Sequence, residues 1–553
     1  MFDRGFSVTA CVLLCAVSTV QAQTGPDAGQ VLREQMAPAP LLPRQAVGVR
    51  LLIPTSEPTL PGGDKVVLKS ARVRGNSVLS EFELLKSIGD VANQSFDLAG
   101  LRRLAEKVAE TYHAEGFPFA RVFLPPQNLH GGELLIEVIE GRYGEVKVTG
   151  NPAMASQAHV FLSRLRSGAV MASGSLERAT MILDDQPGVR TASIVRPGDA
   201  FGTGDLEVEV QRTPLVRGNT IYDNHGNRYT GDHRLQVNMW LDSPFTLGDQ
   251  FQISALTTSE QLWLSSINYN FPVGGDGWRA YVGSVRTKYS LGKELAASDA
   301  KGSANVLTVG VSYPLVRSRE LNLTVSMTVQ RKKLNALDGN NTKEDWFSDS
   351  TPLSLQFDQR DTFGGGGVNY GNLMYAPGRL TLQGEKLSRD VISGLNASGG
   401  FNKWNLDIAR IQATPLTGLS LFGRYSGQQA SKNLDSSEKF GLGGPQGVRA
   451  YSTGAVFGDI GWLTQLEVRY ALGHFSPYAF YDVGALRINA KPDALMTVPT
   501  INKRSISGAG FGTRYAQGLL TLDAALAWRR SGEVEDANIR RNPRAWVTAS
   551  YKF

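Results

Sequence analysis

Over the last three-fifths of the chain, apolar and polar side chains alternate with a period of two. Leu235, Val237, Met239 and Leu241 alternate with Arg234, Gln236, Asn238 and Trp240. Leu466, Val468 and Tyr470 alternate with Gln465, Glu467 and Arg469, and Leu520 through Trp528 alternate with Thr521 through Arg529. A strand has this period because successive side chains point to opposite faces. One face carries large apolar and aromatic groups, and the other carries arginines and acids. That division suits lipid on one side and a wet lumen on the other. From Thr213 to Phe553 turn signals separate about sixteen such segments, and strands of roughly ten residues are long enough to cross a bilayer when tilted. The expected fold over 213–553 is a transmembrane β-barrel of about 16 antiparallel strands. An even count returns both barrel ends to one side of the membrane.

Between residues 64 and 212 the pattern is different and occurs twice. In the first unit, 64–142, Val66 to Val73 reads as a strand, and Ser80 caps a short helix, Glu81 to Ile88. A longer helix follows, Asp97 to Glu115, with Leu101, Leu104, Ala105, Val108, Ala109 and Tyr112 on one face. Gly116 ends it. Strands Phe119 to Leu124 and Glu133 to Ile139 complete the unit. The second unit, 143–212, repeats the order: a strand over Glu145 to Thr149, helices near 153–166 and 175–185, then strands near 189–196 and 205–211. Each is a small α+β domain whose sheet leaves an edge able to pair with an extended peptide.

The first 63 residues fold into neither pattern. An apolar run from Val8 to Val20 and the small-residue site Val20-Gln21-Ala22 predict a secretory signal peptide over 1–22. Asp27 to Met36 reads as a short helix capped by Asp27, and a Pro-rich, extended tether follows to residue 63. The two cysteines, Cys11 and Cys15, lie inside the predicted signal peptide, so the exported chain has no disulfide and no thiolate metal site. Net charge is +6 with the basic residues scattered, which disfavours nucleic-acid binding. Attraction to lipopolysaccharide phosphates or a basic lumen is the more physical account. No Gly-x-Ser-x-Gly elbow, His-Glu-x-x-His pair or phosphate-binding loop occurs, so no catalytic residue, metal or cofactor is expected. The chain closes on Trp546-Val547-Thr548-Ala549-Ser550-Tyr551-Lys552-Phe553. That ending resembles the C-terminal signal of assembled outer-membrane barrels, with Thr548 in the place where that signal often has Gly.

Two motifs in the barrel segment narrow the reading. The first is Leu442-Gly443-Gly444-Pro445-Gln446-Gly447-Val448-Arg449-Ala450-Tyr451. The second is Phe480-Tyr481-Asp482-Val483-Gly484, whose alternation puts Phe480, Asp482 and Gly484 on one face. An aspartate faces lipid only at high cost, so that face is the lumen. The paired α+β units resemble POTRA domains, the polypeptide-transport-associated modules. With the barrel and both motifs, the chain resembles the outer-membrane transporters of two-partner secretion, the ShlB/FhaC type. In that family a Val-Arg-Gly-aromatic tetrapeptide tips a long loop folded back into the lumen. Val448, Arg449 and Tyr451 match it, while Ala450 stands where Gly is usual.

The resemblance implies that Arg449 meets Asp482 inside the barrel, with Val448, Tyr451, Phe480 and Gly484 around the pair. It also implies that the helix near Asp27 is a plug and that the POTRA-like units hang in the periplasm beneath an outer-membrane barrel. The implied function is capture of an unfolded partner exoprotein, one with an N-terminal β-helical secretion domain, and its secretion through the pore. The implied partners are that exoprotein, outer-membrane lipid and the barrel-assembly machinery. A barrel-assembly insertase of the same superfamily is the alternative; insertases usually carry more POTRA units and lack the Pro-rich plug segment.

Overall fold

The computed structural model describes residues 25–35, 50–51, 62–337, 343–496, 501–532 and 541–553. The predicted signal peptide and nearly all of the Pro-rich tether lie outside these residues.

Seventeen extended segments run from Val216 to Lys552 and close into one barrel, each hydrogen-bonded to its neighbours. Lys343–Ser350 and Leu353–Asp361 are two halves of one strand, because both pair with Leu321–Leu337 on one side and with Gly367–Thr381 on the other. Pro352 sits at the break and has no N–H to give the ladder. The barrel therefore has sixteen strands. It closes where the first, Val216–Asp223, pairs antiparallel with the last, Arg544–Lys552. Closure leaves no open edge in the membrane, where an unpaired backbone group would have no water to bond.

The alternation separates the two faces. On the twelfth strand, Ile460–Tyr470, Leu466, Val468 and Tyr470 are 46–51% exposed on the outer wall, while Gln465 and Glu467 are buried inside. Near one mouth, outward aromatics stack into a ladder: Phe251 against Tyr269 at 4.4 Å, and Tyr269 against Phe271 at 5.4 Å. Such belts mark a membrane–water boundary.

The lumen departs from the wet channel that alternation predicts. Leu442, Val448, Ala450 and Tyr451 pack with Leu463, Phe480, Ile506 and Ala527 into an apolar cluster inside the wall. A second cluster forms around a helix, Ala28–Gln35, whose Ala28, Val31 and Leu32 are buried against wall residues including Leu264, Leu334 and Trp346. Asp27 caps this helix by accepting from the Gln30 amide at 2.9 Å. The interior holds protein as well as polar wall, so these inward-facing positions serve as a packing surface.

The soluble units sit at the aromatic-belted mouth. In the first, the helix Glu81–Ile88 begins with a capping box in which Ser80 and Glu83 satisfy each other's amides. The long helix is Leu98–Ala114, with Asp97 as its cap. The expected strand from Val66 to Val73 is instead two pieces. Val66–Val67 pairs with Ser95–Phe96, and Ser70–Arg74 runs parallel to Glu133–Ile139. The break falls where Asn93 and Leu68 bond, which pins the chain before it enters the main sheet. The second unit has strands Arg142–Gly150, Val189–Pro197 and Thr203–Arg212 with helices Pro152–Leu162 and Ser173–Asp184. Its sheet carries a fourth member: Arg50–Leu51 of the tether pairs parallel to Ile194 and Val195.

Turns between barrel strands fasten the second unit in place. Arg317 clamps Asp185 with two bonds of 2.7 Å, Arg319 meets Glu177 at 2.8 Å, and Leu247 enters the unit's apolar core. Planar guanidinium–carboxylate clamps fix orientation as well as distance.

Candidate functional site: a loop held inside the barrel

The eleventh strand, Leu419–Ala430, and the twelfth pair with each other, yet 29 residues, 431–459, lie between them. This loop leaves the mouth opposite the soluble units and folds into the lumen. Two tight approaches seat its tip. A Cβ on Gly508 of the fourteenth strand, Lys503–Gln517, would stand 2.4 Å from the Ala450 methyl. A Cβ on Gly484 of the thirteenth strand, Phe475–Arg487, would stand 2.7 Å from Leu442. Glycine is required at both because the loop occupies the space of a side chain. Ala450 thus fits where the resemblance led us to expect Gly, through a vacancy in the wall.

Arg449 is the most heavily bonded residue of the tip. Its Nε and Nη2 donate to the two Asp482 oxygens at 2.8 and 2.6 Å, and its backbone N–H donates to the same carboxylate at 3.0 Å. Its Nη1 donates to Glu467 at 2.5 Å. The guanidinium lies 3.7 Å from the Phe480 ring centroid, close enough for cation–π attraction. Arg449 and Asp482 are 6% and 0% exposed. Burial raises the cost of either charge alone, so the pair is held together by the penalty of separating it as much as by attraction. Val448 is fully buried, and the Tyr451 hydroxyl donates to the Ser531 carbonyl at 2.9 Å. All six residues singled out in the sequence converge here.

Several partners carry no local signature. Glu467 bridges Arg449, Arg469 and Arg514, a charge network that ties the loop tip to the twelfth and fourteenth strands. Its inward position follows from the alternation, but its nearness to Arg449 depends on the register that sets Glu467 opposite Phe480. Trp546 of the last strand donates its indole N–H to the Arg449 carbonyl at 2.7 Å.

A second anchor lies across the lumen. Glu438, 2% exposed, accepts from Lys332 at 2.5 Å, Lys403 at 2.6 Å and Ser348 at 2.8 Å. These three belong to the seventh, tenth and eighth strands, Leu321–Leu337, Gly399–Ala413 and the interrupted strand beginning at Lys343. The same stretch of loop holds the helix: Ser436 donates to Asp27 at 2.5 Å, and Arg33 donates to the Lys439 carbonyl at 3.0 Å. A Cβ on Gly29 would strike Ser436 and the Ser437 amide, so helix and loop are in contact. Loop, helix and both walls form one connected plug.

Comparison with known proteins agrees with this architecture. The family model described as haemolysin secretion/activation protein ShlB/FhaC/HecB matches residues 202–515, and that of the ShlB-type POTRA domain matches residues 66–141. The heme/hemopexin transporter protein HuxB of Haemophilus influenzae is 25% identical over 423 residues, covering 74% of each chain. The outer membrane transporter CdiB of Dickeya dadantii is 23% identical over 483 residues, covering 84% of this chain and 83% of its own. The solved structure of CdiB from Escherichia coli superimposes with a TM-score of 0.74 at 17% identity, covering 95% and 96% of the two chains. With its sixteen-strand barrel in the outer membrane and POTRA fold on the periplasmic side, the chain belongs to the haemolysin secretion/activation family, ShlB/FhaC/HecB, of outer-membrane secretion transporters.

Proposed function

We propose that this transporter secretes one unfolded partner exoprotein and that residues 431–459, with the helix Ala28–Gln35, form its gate. The relatives named above are transporters, and a chain of their family with no phosphate-binding loop draws on no nucleotide for the step. We read the chain as a signal peptide over 1–22, plug helix and tether over 23–63, POTRA-like domains over 64–142 and 143–212, and a barrel over 213–553. An incoming extended segment, from an N-terminal β-helical secretion domain, adds to a POTRA sheet edge by main-chain pairing. It then threads the barrel once the plug moves, and folding outside prevents its return. Outer-membrane lipid surrounds the barrel, and the barrel-assembly machinery inserts it during biogenesis.

The observation that carries the gate is the burial of Arg449, from the outer loop, between Asp482 and Glu467 of the inner wall. The test is Arg449→Ala beside Arg449→Lys. Both are expected to expose 431–459 to added protease and to lower export of a co-expressed partner, since lysine cannot span Asp482 and Glu467 with one planar group. Wild-type protection and export in Arg449→Ala would sink the assignment.

A further inference from the structure

The inner wall has two chemistries. The third strand is Gln250–Thr258, the fourth Trp263–Val273, the fifth Trp278–Ser290 and the sixth Lys301–Arg317. On the third to seventh strands Ile253, Ile267, Val282, Val309 and Val329 are 37–57% exposed on the lipid side, so the residues alternating with them face the lumen. Between Arg279 at the periplasmic mouth and Lys332 beside Glu438, the inward positions of these strands carry no charge. One register row runs through Gln252, Asn268, Gly283, Thr308 and Gln330. Among the described residues, the side chains of Gln252, Asn268, Thr308 and Gln330 hydrogen-bond to no other residue. A Cβ on Gly283 would strike the Asn268 carboxamide, and one on Gly310 the Tyr281 ring. Glycine at both positions lets these side chains lie against the wall rather than across the bore.

The wall of the tenth to fifteenth strands is charged. Asp407 pairs with Arg424 at 2.5 Å, Glu467 with Arg469 at 2.7 Å, and Arg514 with Asp523 of the fifteenth strand, Leu520–Ser531, at 2.9 Å. A polypeptide moving along that wall would part ion pairs and would be favoured or repelled according to the sign of its own charges. The neutral row imposes neither condition. A carboxamide both donates and accepts, as every peptide unit of an extended chain does, so it serves any sequence. The neutral wall also meets both ends of a route through the barrel. At its foot, a groove of about 460 Å³ between the second soluble unit and the barrel mouth is lined by Gln186, Gln250, Asn270, Arg279, Ser312 and Thr324. Gln250 and Asn270 stand one inward position below Gln252 and Asn268. At its head, the helix Ala28–Gln35 rests on Leu256, Leu264 and Leu334, two inward positions above the row on the same strands. A helix with its side chains is about 10–12 Å across and an extended chain needs about 10 Å, so withdrawing the helix opens the rest of that face.

We infer, on the reading that an unfolded exoprotein crosses this barrel, that its extended main chain slides along the inner face of the third to seventh strands. Gln252, Asn268, Thr308 and Gln330 are the hydrogen-bonding contacts of that surface. Each contact is neutral and modest in strength, so the chain is held against the wall yet passes from one contact to the next. The charged wall across the lumen is the seat of the loop tip, through Asp482 and Glu467.

The test uses the full-length protein and a synthetic peptide of about thirty Gly, Asn, Ser and Thr residues, long enough when extended to cross the barrel. A diazirine side chain at the peptide's centre marks the wall it touches. In planar bilayers, at potentials that open the channel, peptide added on the POTRA side should block the current. In proteoliposomes, illumination followed by mass spectrometry should place the crosslinks on the third to seventh strands. One neutral hydrogen bond is worth about fivefold, so Gln252→Met/Asn268→Leu/Gln330→Met should shorten the blocks about one hundredfold. Heat-modifiable gel mobility checks the variant's folding, and if it fails to assemble, Gln330→Met alone should show the single fivefold step. Crosslinks on the tenth to fifteenth strands, or blocks of wild-type length in a folded variant, would overturn this surface while leaving passage through the lumen intact. A peptide that neither blocks the channel nor crosslinks inside it would overturn passage and surface together.

Discussion

Replacing Glu438 by Gln removes one negative charge from between two lysines and leaves its shape nearly unchanged. Lys332 and Lys403 both donate to Glu438 from within 2.6 Å and are themselves almost fully buried in the wall. Without the carboxylate, two buried ammonium groups are left beside each other without the charge that held them. Breaking a buried pair in this way costs about 3–5 kcal/mol, which shifts the docked loop's equilibrium by roughly two to three and a half powers of ten. The loop retains its Arg449 anchor, so the effect should appear first where Glu438 acts. Residues 436–439 also hold the helix through Asp27 and Arg33, and both contacts should loosen together. Planar-bilayer recordings should show more frequent and larger openings for Glu438→Gln, and protease should cut near 431–440 sooner. A charge-free triple variant, Lys332→Met/Lys403→Met/Glu438→Met, should return towards wild-type closure, because removing a whole buried ion cluster is often neutral. Unchanged conductance in Glu438→Gln would refute the reasoning, as would a triple variant as leaky as the single one.

Two further outcomes follow from the geometry. Gly508→Ala places a methyl 2.4 Å from that of Ala450 and should loosen the loop tip by about 1–3 kcal/mol, with Ala450→Gly restoring protease protection in the double variant. In the first POTRA unit, the buried Glu140 carboxylate accepts from the Ser77 and Val78 amides and the Tyr112 hydroxyl. Burial alone would raise its pKa, but these donors outweigh burial and hold it below the ordinary value. A depressed carboxylate contributes stability above its unfolded pKa of about 4.3 and loses it as pH falls through the folded value. Hydrogen exchange over 66–141 in the full-length protein should therefore quicken in acid, and Glu140→Gln should flatten that dependence while weakening protection at pH 7.

The barrel was legible because a period of two survives any loop length: Leu466, Val468 and Tyr470 face out wherever the strand begins. The cap at Ser80 was legible because it stands immediately before the helix it starts, while its reciprocal partner Glu83 emerged only in the structure. Arg449 and Asp482 could be paired only through the family motif, since alternation places Asp482 in the lumen but says nothing of what enters it. Glu438 could not be found this way. Its partners lie 106, 90 and 35 residues away and are joined to it only by barrel closure. The apolar filling of the lumen was hidden for a related reason. Ile506 and Ala527 look like ordinary wall residues until the loop is laid against them. The split of the Val66–Val73 strand was missed because Leu68 continues the apolar run while its backbone bonds a turn.

Closure by the joined helix and loop can be tested with one tether. The sequence's only cysteines are Cys11 and Cys15, both within the predicted signal peptide, so new ones can be read cleanly. Asp27→Cys and Ser436→Cys replace side chains already in contact across the helix–loop seam. Export of a co-expressed partner should stop when the pair is oxidised and resume when it is reduced, with each single variant exporting in both states. Equal export from the oxidised and reduced protein would mean that the route does not require this plug to open.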